Sequence, residues 1–214
     1  MKTMLVLASA SPRRQELLRN AGISFAVQPA DIDEAPHAGE APRDCAERLA
    51  REKALAIFQD RPHDCVLGAD TIVVVDETIL GKPSDAADAA RMLRLLSGRT
   101  HQVITGVCLV ASGRTAVAGS QMPVASENGY SEKLRIENRE LRTASESTLV
   151  TMSALSDADI RDYIATGEPM DKAGAYAIQG MASRWIPRIE GDYSNVVGLP
   201  VALVYSMLRD RVKL

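Results

Sequence analysis

Met4-Leu5-Val6-Leu7-Ala8-Ser9-Ala10-Ser11-Pro12-Arg13-Arg14 is the stretch on which the fold turns. Met4 to Ala8 are apolar without a break, a run of the length of one buried strand and too short for a helix. Ser11 is then a preferred N-cap, and Pro12 suits the first helical position, where its missing N–H is no loss. Gly22 supplies the stop. A strand that passes directly into a helix is the opening unit of an α/β protein.

The rest of the chain keeps that rhythm. A helix is predicted from Pro42 to Phe58, with Cys45, Leu49 and Ile57 on one apolar stripe and Lys53 inside it. Val66 to Val75 is nearly continuous in apolar residues, as a central strand buried on both faces requires, but Asp70 and Thr71 interrupt it. Ser84 is the expected cap of a third helix carrying Ala89, Met92, Leu93 and Leu96, which Gly98 ends. Gln102 to Val110 and Thr148 to Leu155 read as strands, and Ser156 with Asp159 as the capping box of a helix running to Gly167. A last helix follows Pro200, with Val201, Val204, Tyr205 and Leu208 on its apolar face. The fold class is therefore α/β with a mixed sheet, expected as one domain over residues 1–214. From about Thr115 to Leu141 the chain turns polar, and the expectation there is an exposed, partly mobile excursion between two strands.

With 25 Lys and Arg against 28 Asp and Glu, the net charge of −3 provides no global positive field for a nucleic-acid backbone. An anionic ligand must be met by a local basic cluster. Cys45, Cys65 and Cys108 are few and widely spaced, which argues against a disulfide framework or a cysteine zinc site. The N-terminal apolar run is too short for a signal peptide, and no stretch approaches the ~20 apolar residues of a membrane span. Cytoplasmic residence without a membrane partner is the expectation.

Four places carry candidate chemistry. Ser9 to Arg14 offers backbone N–H groups at a helix start, two hydroxyls and two guanidiniums, which suits a phosphate; the alternative is an ordinary N-cap with two solvated arginines. Asp70, in Gly68-Ala69-Asp70-Thr71, is costly to bury unpaired and so should face a cleft or a cation; Mg²⁺ takes one or two carboxylates plus phosphate oxygens. Lys53 and Lys82 are weak signals singly, a snorkelling side chain and a turn residue, but with Arg13 and Arg14 they supply four positive charges. Asp171 to Gly180 is rich in small residues that permit close approach, and the Gln179 amide can donate and accept along a base edge; the alternative is a glycine-bounded strand with polar residues to solvent. His37, His63 and His101 form no ligand pattern.

Taken together, Leu7 to Arg14, Gly68-Ala69-Asp70-Thr71, Gly81-Lys82-Pro83, His101-Gln102-Val103-Ile104-Thr105-Gly106, Asp171-Lys172-Ala173-Gly174-Ala175-Tyr176 and Tyr193-Ser194-Asn195-Val196-Val197-Gly198-Leu199-Pro200 closely resemble the Maf family of nucleoside triphosphate pyrophosphatases. Six blocks in order are far more specific than any one. The resemblance implies a mixed α/β fold with a deep cleft between two lobes, similar to the inosine triphosphate pyrophosphatases. It further implies a nucleoside triphosphate substrate, a divalent cation (Mg²⁺ or Mn²⁺), and room for a homodimer.

Carried over position by position, Asp70 matches the family's general base. Ser9, Arg13, Arg14, Glu34, Lys53 and Lys82 match its phosphate- and metal-contacting positions, with Glu34 and Asp70 toward the metal. Arg13, Thr71 and Gln179 match positions tied to base selectivity. Ala177-Ile178-Gln179-Gly180 looks like the subgroup acting on dTTP and UTP, whereas the 7-methyl-GTP subgroup usually carries a Ser-Glu-Gly type of sequence. The polar excursion is a departure, since members usually connect these strands by a much shorter loop. A 7-methyl-GTP or other non-standard nucleotide remains an alternative substrate. A reading of another class is a nucleotide-binding regulator of cell division, against which stands the retention of Asp70 with all four basic positions.

Overall fold

A computed structural model of the chain describes residues 4–112, 132–136 and 139–209. The elements run β1 (Leu5–Leu7), α1 (Pro12–Asn20), β2 (Ala26–Val27), α2 (Pro42–Asp60), β3 (Cys65–Val75), β4 (Thr78–Leu80), α3 (Ala86–Leu96), β5 (Thr100–Ser112), β6 (Glu132–Ile136), β7 (Arg139–Thr151) and α4 (Asp157–Ala165). Then follow 3-10 turns at Glu168–Asp171, Ala173–Ala175 and Met181–Trp185, β8 (Arg188–Glu190), α5 (Tyr193–Val197) and α6 (Val201–Leu208). The expected α/β class with a mixed sheet is what forms. Eight strands make one sheet in the order β2-β1-β3-β5-β7-β6, with β4 beside β3 and β8 beside β7. β1 runs parallel to β2 and β3, and the remaining pairs are antiparallel.

The long strands β3, β5 and β7 serve two cores in turn. Leu67, Ala69, Val107, Leu109 and Ala144 pack with Leu5, Leu7, Leu18, Leu199 and Val204. Further along, Val73, Val75, Val103 and Val150 pack with Leu93, Leu96, Ile160, Tyr163, Tyr176 and Trp185. These cores are the two lobes, and Asp70 and Thr71 lie on β3 where one gives way to the other. Across the sheet, α2 covers the opposite face through Ala50, Ala54, Ile57 and Phe58 against Val66, and through Ala46 against Ile72, Val74 and Ile104. That helix rests on backbone. A Cβ at Gly68 would meet Ala50 O at 2.1 Å, and one at Gly106 would meet Ala46 O at 2.2 Å. Only glycine permits so close an approach.

An interruption of pairing opens the cleft. β1 pairs with β3 only as far as Leu67, and β4 takes up the same edge of β3 again at Val73. Among the described residues, 68–72 therefore have no strand on that side, just past the carboxyl end of parallel β1, which is where ligands enter open α/β sheets.

Local details depart from the sequence reading in four places. Asp85, not Ser84, caps α3: its carboxylate accepts from Asp88 N at 2.8 Å, while Ser84 N donates to Asp88 Oδ2. The strand expected from Thr148 to Leu155 starts at Arg139 and stops at Thr151, because β5 pairs with it residue for residue from Ser112 to Thr100. Tyr205 is exposed, and the buried face of α6 is Val204, Met207 and Leu208. The polar excursion falls mostly outside the described residues, and its described part, 132–136 and 139–141, is strand.

His101 lies in the second core, 2% exposed, with Nε2 2.8 Å from Tyr176 Oη and the two rings edge to face. Its Nδ1 is buried with no partner among the described residues. Burial pushes its pKa from the ordinary 6.5 down to about 4. The folded state thus holds a neutral imidazole, whose stabilising contribution is complete above 6.5 and is lost as the pH falls toward about 4. The loss amounts to roughly 3 kcal/mol. Unfolding free energies of the parent and of His101→Phe between pH 7 and 4 should show a steeper acid slope in the parent. Parallel curves would exclude His101 as the titrating group.

Candidate active site

Asp70 and Thr71 alternate across the sheet, so the two side chains leave β3 on opposite faces. On the α2 side, the stripe position predicted to snorkel does not: Lys53 is 6% exposed and its Nζ lies 2.6 Å from Asp70 Oδ1 and 2.5 Å from Glu34 Oε1. Glu34 comes from the irregular segment between β2 and α2, and its Oε2 accepts from Lys82 Nζ at 3.0 Å. Lys82 itself follows β4 in the second lobe, so Glu34 bridges the mouth of the cleft. Burial raises the Glu34 pKa, but the hydrogen bonds and charges of Lys53 and Lys82 outweigh it and hold the carboxyl at about 2. Glu34 is therefore an anion at any working pH.

On the α1 side, Ser11 Oγ accepts from Arg14 N as the N-cap, with Pro12 in the first turn as expected. Arg14 turns inward. Its Nε donates to Gly198 O at 2.8 Å, one terminal nitrogen donates to Ala69 O at 2.9 Å and Ser9 Oγ at 3.2 Å, and the other donates to Thr71 Oγ1 at 3.0 Å. Four of its five N–H donors are thus spent on the protein. It ties the β1–α1 turn, the open edge of β3 and the turn after α5 together. Burial lowers its pKa, with Asp70 and Glu34 acting the other way. Arg13 stays at the cleft rim, 3.6 Å from Asp171.

These groups line one cavity of about 840 Å³, together with Tyr176, Ile178 and Gln179 of the segment after Asp171. That volume lies within the ~300–1,000 Å³ usual for small-molecule sites. The segment is a series of 3-10 turns, not the alternative strand, because Gly174 at φ +68° packs against Val73, where a Cβ would come within 2.9 Å of Val73 Cγ2. Every site position named from the sequence, namely Ser9, Arg13, Arg14, Glu34, Lys53, Asp70, Thr71, Lys82 and Gln179, borders this cavity.

Sequence reasoning missed the groups that hold these. Arg48 donates to Glu40 at 2.6 and 2.8 Å and to Ala35 O at 3.1 Å, which clips the Glu34 segment to α2. Its hydrogen bonds hold the Glu40 carboxyl at about 2. Glutamate and arginine eight residues apart spanning a helix start carry no periodic signal. Cys45 and Cys108 are buried thiols, pushed up to about 11 by burial and so poor nucleophiles. No group of three or more His, Cys, Asp or Glu able to hold a metal occurs among the described residues. None of the described helices is long and apolar enough to cross a membrane.

Comparison with known proteins agrees with this geometry. The model of the Maf-like protein family matches residues 4–211. A dTTP/UTP pyrophosphatase of Koribacter versatilis is 53% identical over 205 residues, covering 96% of this chain and 93% of that protein. Proteins of the same name from Syntrophomonas wolfei and a Shewanella species are 47% and 45% identical, each over 96% of this chain and 96% and 97% of their own. The six blocks around the cleft thus sit within a likeness that runs almost end to end, and the chain belongs to the Maf family.

Proposed function

We propose that this protein hydrolyses dTTP and UTP to the nucleoside monophosphate and pyrophosphate. The observation that carries the reading is the Asp70–Lys53–Glu34–Lys82 cluster at the open edge of β3, and the names of the relatives supply the substrate. Water attacks the α-phosphorus and pyrophosphate leaves. Asp70 orients the water and takes its proton, with Lys53 on Oδ1 leaving Oδ2 for that task. Lys53, Lys82 and Arg13 neutralise charge spread over the phosphate oxygens, and Arg14 keeps Ser9 and Thr71 in place.

The residues fit a divalent cation. Glu34 and Asp70 converge within 2.6 Å of one Lys53 Nζ, so two carboxylates share one small region, and phosphate oxygens of the substrate complete a donor set that suits Mg²⁺ or Mn²⁺. When bound, the cation supplies further charge neutralisation on the phosphate chain. The buried thiols suit a reducing cytoplasm.

Pyrophosphate release from dTTP, UTP, CTP, 7-methyl-GTP and ITP, with Mg²⁺ and then with EDTA, tests the reading. dTTP and UTP should lead and EDTA should abolish release. No release from any of the five would leave a binding protein instead.

Gln179 should set base preference more than rate, since its amide can pair with the O4 and N3–H edge common to thymine and uracil. Gln179→Glu turns a carboxylate toward a pyrimidine carbonyl, which costs about 1–3 kcal/mol, or roughly ten- to a hundredfold in selectivity. The ratio of kcat/KM for dTTP to that for 7-methyl-GTP should fall accordingly. An unchanged ratio would mean that Gln179 does not read the base.

A further inference from the structure

The segment that carries Gln179 is held from beneath by two side chains outside all six motif blocks. Tyr163 of α4 is fully buried, and its Oη donates to Glu168 Oε1 at 2.8 Å while accepting from Ala177 N at 3.2 Å. Glu168 in turn accepts from Met181 N on both oxygens, at 3.1 and 3.2 Å. The carboxylate fills the space beside Gly180, where a Cβ would lie 2.1 Å from Oε1. Lys172 Nζ closes the loop onto Glu168 O at 2.8 Å. Ala177 and Met181 are thus pinned two residues to either side of Gln179, whose own side chain is at the cleft surface.

A short backbone arch fixed at both feet presents its middle residue with little freedom. The Glu168 carboxylate holds the Met181 foot directly and the Ala177 foot through the Tyr163 hydroxyl, because a carboxylate accepts several hydrogen bonds at once and the buried tyrosine keeps it aimed. We propose that Glu168, oriented by Tyr163, is a positioning residue for base recognition: it fixes the arch from Ala177 to Met181 so that Gln179 meets the base edge in one geometry. The inference rests on the reading of Gln179 given above. Neither Glu168 nor Tyr163 borders the cleft, so neither touches the substrate.

The expected signature separates base from phosphate. Tyr163→Phe keeps the ring and removes the hydroxyl, and Glu168→Ala removes the support; each should raise KM for dTTP about tenfold and lower the dTTP to 7-methyl-GTP ratio about as much. kcat should stay within about threefold, and inhibition by pyrophosphate alone should be unchanged, because Lys53 and Lys82 stand on other elements. Glu168→Gln retains Oε1 and should lie near the parent. A fall in kcat with KM and ratio untouched, or a weakening of pyrophosphate inhibition in step with KM, would overturn the positioning role. The parent in the same assay separates the two readings. A parent without preference for dTTP overturns the substrate reading and this inference with it, whereas a selective parent with equally selective variants overturns this inference alone.

Discussion

Asp70→Asn is expected to lower dTTP turnover by about two to four orders of magnitude. The amide has the shape of the carboxylate and still offers an oxygen to Lys53 Nζ, now 2.6 Å away, but it takes no proton from water. Fold and substrate binding should survive. Orphaning a buried cation usually costs about 3–5 kcal/mol, but Lys53 keeps Glu34 at 2.5 Å, so the penalty here should be well below that. Pyrophosphate release and thermal unfolding measured on the same preparation separate the effects. Turnover within tenfold of the parent would remove Asp70 as the base, and a collapse of the melting temperature would assign the loss to folding.

Gly106→Ala is expected to be the most damaging change outside the cluster. Its Cβ would lie 2.2 Å from Ala46 O and 2.7 Å from Glu47 N, both backbone of α2, so no side chain can turn aside. The helix must lift off the sheet. Forcing a methyl into a packed contact costs about 1–3 kcal/mol when neighbours can adjust, and a rigid helix backbone puts this case at or above the upper end. For a chain of this size that is a fall of roughly 10 °C in Tm. The lift also draws Lys53 away from Asp70, because Gly106 is the direct β-ladder partner of Asp70. A misplacement of ~1 Å at such a site costs on the order of a hundredfold in rate. Gly68→Ala, which would press on Ala50 O at 2.1 Å, should behave alike. Normal melting and full activity in both variants would show that α2 does not position Lys53.

What could be read from the sequence was whatever has a local cause. Ser11 and Pro12 announce a helix start by their own hydrogen-bonding chemistry, and the capping box of Ser156 and Asp159 forms with both of its bonds. Asp70 is conspicuous because an ionised group breaks an apolar strand, whereas Lys53 in its apolar stripe looks like a snorkelling side chain until the fold buries it against Asp70. The first half of β7 was hidden because Arg139 to Ser147 is polar in composition; its strand state comes from pairing with β5, a contact no window along the chain contains. Arg14 had a direction that spacing could not give, since three of its four acceptors lie 55, 57 and 184 residues away. Glu34 sits in irregular chain, where no periodicity marks it, and only the likeness to a family singled it out. Tyr205 was misread because period alone does not say where a helix stripe ends.

The unpaired stretch of β3 gives the sheet the part of a partition wall with a doorway. On the function proposed above, the reacting end of a nucleotide would stand on the side of α2, where Asp70 and Lys53 are, and the base would reach the room behind, where Gly174 leans on Val73 and Gln179 follows. A layer of backbone separates the two tasks. Substitutions on one side should then combine with those on the other as independent factors, rate multiplied by selectivity. A lineage could refurnish the rear room for a different base without moving the machinery at the front.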